Sequence, residues 1–357
     1  MSFSDNLAIG NFNKTQRLVF VTFFVTLIIL RNGITIFNPT DGWIESIRQF
    51  PNPIGFTSSS VGTVAILKLM MVENGFQLIL VNSLVSLILL FAALIYFSKL
   101  PKLSGMFLGT LIAVSPLATH VMSSMGNPDV YLYLGWMIML RTKSYPQILM
   151  GGLLVATAHP YQALIGAICL YLISLALRNK HLMRLAIFVT AISLTVVIIV
   201  STWANVTNSG VTRENLFVDY FASSVTNFLA NFPNALFAYL GPVWLIVILI
   251  FLEIKGTRRR IFYVTAVLIV PASMAISTAD GTRVYLGVVF PTAISIIAAY
   301  IAKNSSQVEW RRGYLVIIIC LMIYPVTYQI TDFMYTPWMG VKSHLQPFVE
   351  WWATRTT

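Results

Sequence analysis

The chain has 357 residues, of which 57% are hydrophobic and only 10% are charged, and it carries a formal net charge of +11; its mean hydropathy is +0.79. Soluble proteins carry roughly 25% charged residues, so a chain this poor in charge cannot cover a globular surface in water, and the bilayer must serve as its solvent. The same distribution excludes nucleic acid as the partner behind the positive charge, because the basic residues fall in short clusters between apolar runs.

In chain order, Lys14 and Arg17 precede the apolar run Leu18 to Leu30, which Arg31, Asn32 and Gly33 follow. No small-residue cleavage pattern ends the run, so it reads as a retained first span rather than a signal peptide. A span needs about 20 predominantly apolar residues, and cytoplasmic loops collect Lys and Arg. Together these demands predict an all-α, polytopic protein with about 11 spans, near 17–37, 76–97, 103–122, 129–140, 147–158, 161–177, 185–203, 234–252, 261–279, 284–302 and 313–331. The N-terminus is then cytoplasmic and the C-terminus outside. Sixteen of the 23 basic residues land inside: Lys14, Arg17, Lys99, Lys102, Arg141, Lys143, Arg178, Lys180, Arg184, Lys255, Arg258, Arg259, Arg260, Lys303, Arg311 and Arg312. Most acids lie at the outer face, which points to a working surface there.

Residues 1–357 read as a single integral membrane domain in a multi-pass cell (inner or plasma) membrane protein. The outer loops 38–75 and 204–233 carry aromatic residues suited to headgroup level, as does the outer tail 332–357. Cys169 and Cys320 sit in apolar runs and form neither a disulfide framework nor a metal-ligand spacing. Several spans are short. Gln147 to Leu177, flanked by basic clusters, must go out and back in 31 residues where two crossings need about 40. The His159-Pro160-Tyr161 turn is therefore expected below the outer surface, where irregular backbone survives only along a protein-walled, wet cavity.

Four constellations could carry chemistry. On a helix Asp41, Glu45 and Arg48 share a face, which suits a base beside a phosphate clamp, although the spacing by itself favours a helix cap with a Glu45–Arg48 pair. Asp129 in Gly126-Asn127-Pro128-Asp129 has the place of an N-cap. His159 at the sunken turn is a packing residue or a functional one, because polar groups are costly at membrane depth. Asp280-Gly-Thr-Arg283 places a cation at a helix start, where the dipole disfavours it; Arg283, like Arg31 at the outer end of the first span, either snorkels to headgroups or holds a phosphate. The residues imply no metal site and no cofactor, and leave a divalent cation open.

This layout, with a first-loop acid, short hairpin spans around a Gly-x-Pro-Asp turn, a sunken His-Pro and a late Asp-x-Thr-Arg, resembles the polytopic C-type-fold glycosyltransferases and the related cell-envelope polysaccharide polymerases. The resemblance implies transfer of a sugar from a polyprenyl-phosphate-linked donor to a glycan or lipid acceptor on the outer face, among membrane lipids. Asp41 is then the catalytic base, with Glu45 the alternative. Arg283, with Arg48 or Arg31, holds the phosphate, and His159, Asp129 and Asp280 belong to the substrate pocket. The alternatives within reach are an O-antigen-type polymerase and a secondary transporter or lipid flippase.

Overall fold

A computed structural model describes residues 12–34, 41–52, 57, 60–123, 125–207, 213–232, 234–278, 281–303, 328–330 and 333–335. Its elements are α1 (Lys14–Asn32), α2 (Asp41–Gln49), α3 (Val61–Leu69), α4 (Gly75–Phe97), α5 (Lys102–Val114), α6 (Pro116–Ser123), α7 (Val130–Arg141), α8 (Tyr145–Ala158), α9 (Pro160–Leu177), α10 (Lys180–Thr207), α11 (Arg213–Asn231), α12 (Asn234–Leu240), α13 (Val243–Glu253), α14 (Thr257–Val264), a π-helical turn (Thr265–Ile269), α15 (Val270–Ile276) and α16 (Gly281–Lys303). Among the described residues, six helices are long and apolar enough to cross a membrane, or seven if the bent α5–α6 pair is one span; α7, α8 and α13 are shorter apolar helices. The protein is thus a helical, multi-pass membrane protein. Large apolar side chains such as Leu18, Ile88 and Ile198 stand exposed along the long helices, as expected where lipid rather than water is the neighbour.

The expected helices form nearly where the sequence puts them, with three departures. The stretch 103–122 is not one rod: it bends by 60° between α5 and α6. Pro116 has no N–H to continue the ladder and pushes Ser115 into extended backbone. The Ser115 hydroxyl then restarts the chain as a cap, accepting from the backbone N–H of Ala118 at 3.4 Å. The stretch 234–252 breaks at Gly241, whose φ of +54° suits a residue without Cβ, and at the following Pro242. The end of the expected span 313–331 is not helical: Tyr328–Ile330 pairs antiparallel with Phe333–Tyr335, so the described chain is not wholly α. Residues 313–327 lie outside the described residues, as does most of the tail 332–357. Within the outer loops, 38–75 contributes α2 and α3, and α11 fills most of 204–233.

Helices α9 and α16 are the centre of the bundle. Their apolar windows are 56% and 67% buried, against 22% for α1. They lie close because glycine faces the neighbour on each: a Cβ at Gly166 would stand 3.0 Å from the Val288 carbonyl oxygen, and one at Gly287 would collide with the Gln162 amide. Small residues are how helices approach closely where no water drives them together. The α7–α8 hairpin is tighter still. A Cβ at Gly135 would lie 2.8 Å from the Gly151 carbonyl oxygen, and one at Gly151 would lie 2.8 Å from the Gly135 carbonyl oxygen. At the C-terminal end of α9, Arg259 Nε donates to the Ala176 carbonyl at 2.7 Å, a cation on the last turn of that helix. Helix α1 packs on α4, α5 and α6 through Phe20, Phe24, Ile28, Leu90 and Leu94.

Replacing Gly135 by Val is expected to destabilise the protein by roughly 1–3 kcal/mol through overpacking of the hairpin, read as a lower melting temperature in detergent. Unchanged melting would mean that α7 and α8 do not meet at these glycines.

Candidate functional site

Helices α7 and α8 are antiparallel and joined by the three residues 142–144, so the residue before α7, Asp129, and the residue after α8, His159, come to the same end of the hairpin. Asp129 Oδ1 is 3.5 Å from His159 Nε2. Its Oδ2 is 3.4 Å from Arg283 Nε, in the first turn of α16, and 3.7 Å from His120 Nε2, on α6. One carboxylate thus faces three nitrogen groups from separate elements. The Asp129, His120 and His159 side chains are 7%, 2% and 8% exposed, whereas Arg283 is 27% exposed, so the cluster opens on the arginine side.

The capping role that its position suggested for Asp129 is not the one it takes: its side chain makes no cap hydrogen bond to α7. Asn127 supplies the local turn instead, its Oδ1 accepting from the Asp129 backbone N–H at 2.9 Å. The turn itself is braced by α4, where Asn82 Nδ2 donates to the Gly126 carbonyl at 2.9 Å; Gly126 has φ of +93° and packs on Ile79. The α6 end is held by Thr119, which donates to Asn32 Oδ1 at 2.7 Å on α1. Arg31, beside that asparagine, is buried.

Helices α7, α9 and α16 all begin at this cluster. Each helix start carries about half a positive charge and unsatisfied N–H groups, so three positive ends converge with Arg283 on one buried acid. This gives Arg283 the reason that its place at a helix start lacked, and it gives the site a bias toward anions.

Two lengths set its depth. Asn82 lies seven residues into α4, about 10 Å from that helix's N-terminal end at 1.5 Å per residue. From the basic turn at Arg141 and Lys143, α7 with 12 residues and α8 with 14 rise only about 18–21 Å, against a hydrocarbon core of about 30 Å. Both measures place the cluster roughly 10 Å short of where full-length spanning helices would end. The break at His159, between α8 and α9, falls where the 31-residue stretch was expected to turn.

The other expected site residues lie apart. Asp41 is exposed at the first residue of α2, and no ion pair or hydrogen bond joins it to the cluster among the described residues. Glu45 accepts from Gln49 Nε2 at 2.6 Å and pairs with Arg48 at 4.0 Å, while Arg48 also donates to the Glu73 carbonyl at 3.3 Å; that is the local pairing reading of the α2 acids. Asp280 lies outside the described residues. His120 was hidden from sequence reasoning inside an apolar span, although a histidine at membrane depth is itself a signal. Among the described residues no group of three or more His, Cys, Asp and Glu is arranged to hold a metal ion.

No family model, curated protein or solved structure matches the chain at a significant level.

Tyr161→Cys, in a background lacking Cys169 and Cys320, is expected to be reachable by small water-soluble thiol reagents but to react several-fold more slowly than Gln49→Cys on the exposed face of α2. Equal rates, or a Tyr161→Cys inert to every polar reagent, would remove the recess.

Proposed function

We propose that the chain is a membrane glycosyltransferase that moves a sugar from a polyprenyl-phosphate-linked donor to a glycan or lipid acceptor at the outer face of a cell membrane. The observation that carries this reading is the convergence of Asp129, His120, His159 and Arg283 at a recessed end of three helices. Proton-carrying groups and a phosphate-matching cation stand together there, about 10 Å inside the bilayer, at a depth that a lipid-linked substrate reaches sideways. The resemblance drawn from the sequence points to the same chemistry.

In this mechanism the acceptor hydroxyl attacks the anomeric carbon while its proton passes to His159, which Asp129 orients and whose positive charge Asp129 balances. The bond from the anomeric carbon to the phosphate oxygen breaks, and the negative charge that develops on the phosphate is met by Arg283 and the helix N-termini. No acid is needed at a leaving group that is already a stable anion. Asp41, on the exposed helix α2, is then outside the chemical step, in contrast to the role that the resemblance gives it. The full layout belongs to the proposal: eleven crossings, a cytoplasmic N-terminus and an outer C-terminus, with the short helices α7 and α8 forming an incomplete crossing pair around the recess. A polymerase acting on lipid-linked oligosaccharide units would use the same groups.

The bend at Ser115 and the buried charges also suit a proton-coupled transporter, whose sites sit at broken helices. A transporter and a transferase separate on product. Membranes carrying the protein, given a labelled polyprenyl-phosphate sugar, form new glycosidic product under this proposal and move the label unchanged under the other.

Two outcomes are expected. At matched membrane abundance, Asp129→Asn and His159→Gln lose roughly 100- to 10,000-fold of transfer, and Asp41→Asn stays within a few-fold of the parent; the reverse pattern would return the base to the first outer loop. An impermeant thiol reagent applied outside intact cells labels Gln49→Cys and not Ser144→Cys, in the turn between α7 and α8; labelling of Ser144→Cys would invert or dissolve the layout.

A further inference from the structure

The mechanism above uses one histidine, yet Asp129 faces two. His120 is 2% exposed in its side chain and lies against Asp129 Oδ2, on the side away from His159. Its ring meets Tyr133 edge-on, with centroids 5.9 Å apart. A cavity of ≈ 10 Å³ lies beside it, bounded by Ser86, His120, Asn127 and Tyr133 together with Val121 and Val130. That volume is at the lower limit for a single water molecule, and the lining is polar enough to hold one. The Tyr133 hydroxyl is buried and meets no hydrogen-bond partner among the described residues. Buried groups of this kind take a water in preference to remaining bare.

The charges decide what His120 can do. His120 and His159 face the two oxygens of one carboxylate, so each imidazole, once protonated, adds a positive charge beside the other, with little water to screen them. Protonation of His120 and protonation of His159 therefore oppose one another. Among the described residues, the titratable or charged groups around His120 include Asp129 and Tyr133 at the start of α7, His159 and Arg283 across the carboxylate, and Arg31 from α1, which packs against α6.

We propose that His120 is a positioning residue that sets the basicity of His159 through their shared Asp129. While His120 is neutral, the Asp129 charge is available to a proton arriving on His159. When His120 is charged, that charge is already spent, and His159 is a poorer base. The inference rests on the cluster being the acid–base site of the proposed transferase, but not on what is transferred.

The test is nitrogen NMR of histidine-labelled protein in lipid vesicles, titrated from pH 4.5 to pH 9 as roughly the range in which imidazole charges, with the signals assigned by His120→Gln and His159→Gln. In His120→Gln the His159 midpoint is expected to rise by about one pH unit or more, the size at which two sites titrate as a pair. In His159→Gln the His120 midpoint is expected to rise by a similar amount, since the coupling is reciprocal. Tyr133→Phe is expected to move His120 more than His159. Should either glutamine variant fail to fold, His120→Asn and His159→Asn give the same comparison. Midpoints that stay within about 0.2 pH unit in both directions, on a scale where coupled sites move by about one, would overturn the proposal. In transfer assays His120→Gln should move the acidic limb of the kcat profile while leaving KM unchanged, which a merely structural loss would not do. Coupled midpoints without any transfer activity would sink the glycosyltransferase reading and leave this inference standing.

Discussion

A carboxylate carried into the bilayer must bring its partners with it, and the rest of this fold is arranged around that requirement at Asp129. Moving an isolated ion out of water costs several kcal/mol even after relaxation, so an unaccompanied Asp129 would oppose insertion of α7. The contacts to Arg283, His120 and His159 fix which turn of α16, of α6 and of the α8–α9 junction can lie beside it. Polar contacts of this kind set register in a way that apolar packing, which tolerates sliding, does not. The glycine contacts on α7, α8, α9 and α16 then allow the backbones to come as close as those pairings demand.

Depth is the second consequence. Helices α7 and α8 are too short for the hydrocarbon core, and the place where they end is the place where charged groups collect. Irregular backbone at Gly126–Asp129 and at His159 is tolerated because protein closes around it: Asn82 satisfies the Gly126 carbonyl, and the Asp129 N–H finds Asn127. Shortening a helix thus does what a cavity in a soluble enzyme does. It opens a polar recess while leaving the lipid-facing surface intact.

Much of this was legible in the sequence, and for physical reasons. Hydropathy and the clustering of Lys and Arg located the apolar helices to within a few residues, because bilayer thickness and backbone hydrogen bonding leave few solutions. The His159 turn followed from counting residues between basic clusters. Three of the four cluster members were singled out separately, Asp129 as a helix cap and His159 and Arg283 for their cost in those positions. What could not be read was that they meet, since Asp129 and Arg283 are joined only by the packing of α7 and α16. His120 was missed because its neighbours are apolar and hydropathy averages over it. The bend before it is marked by Ser115-Pro116, a pair whose meaning depends on whether a proline kinks a crossing or merely begins a helix.

The spacing of the cluster along the chain also bears on how the protein is made. Asp129 leaves the ribosome roughly 150 residues ahead of Arg283, an interval of roughly 8–30 s at ordinary synthesis rates of about 5–20 residues per second. During that time the acid stands at the membrane without its arginine. His120 has already emerged, and His159 follows only 30 residues later. Of the three groups that Asp129 faces, the two imidazoles lie near it along the chain and the arginine is made last.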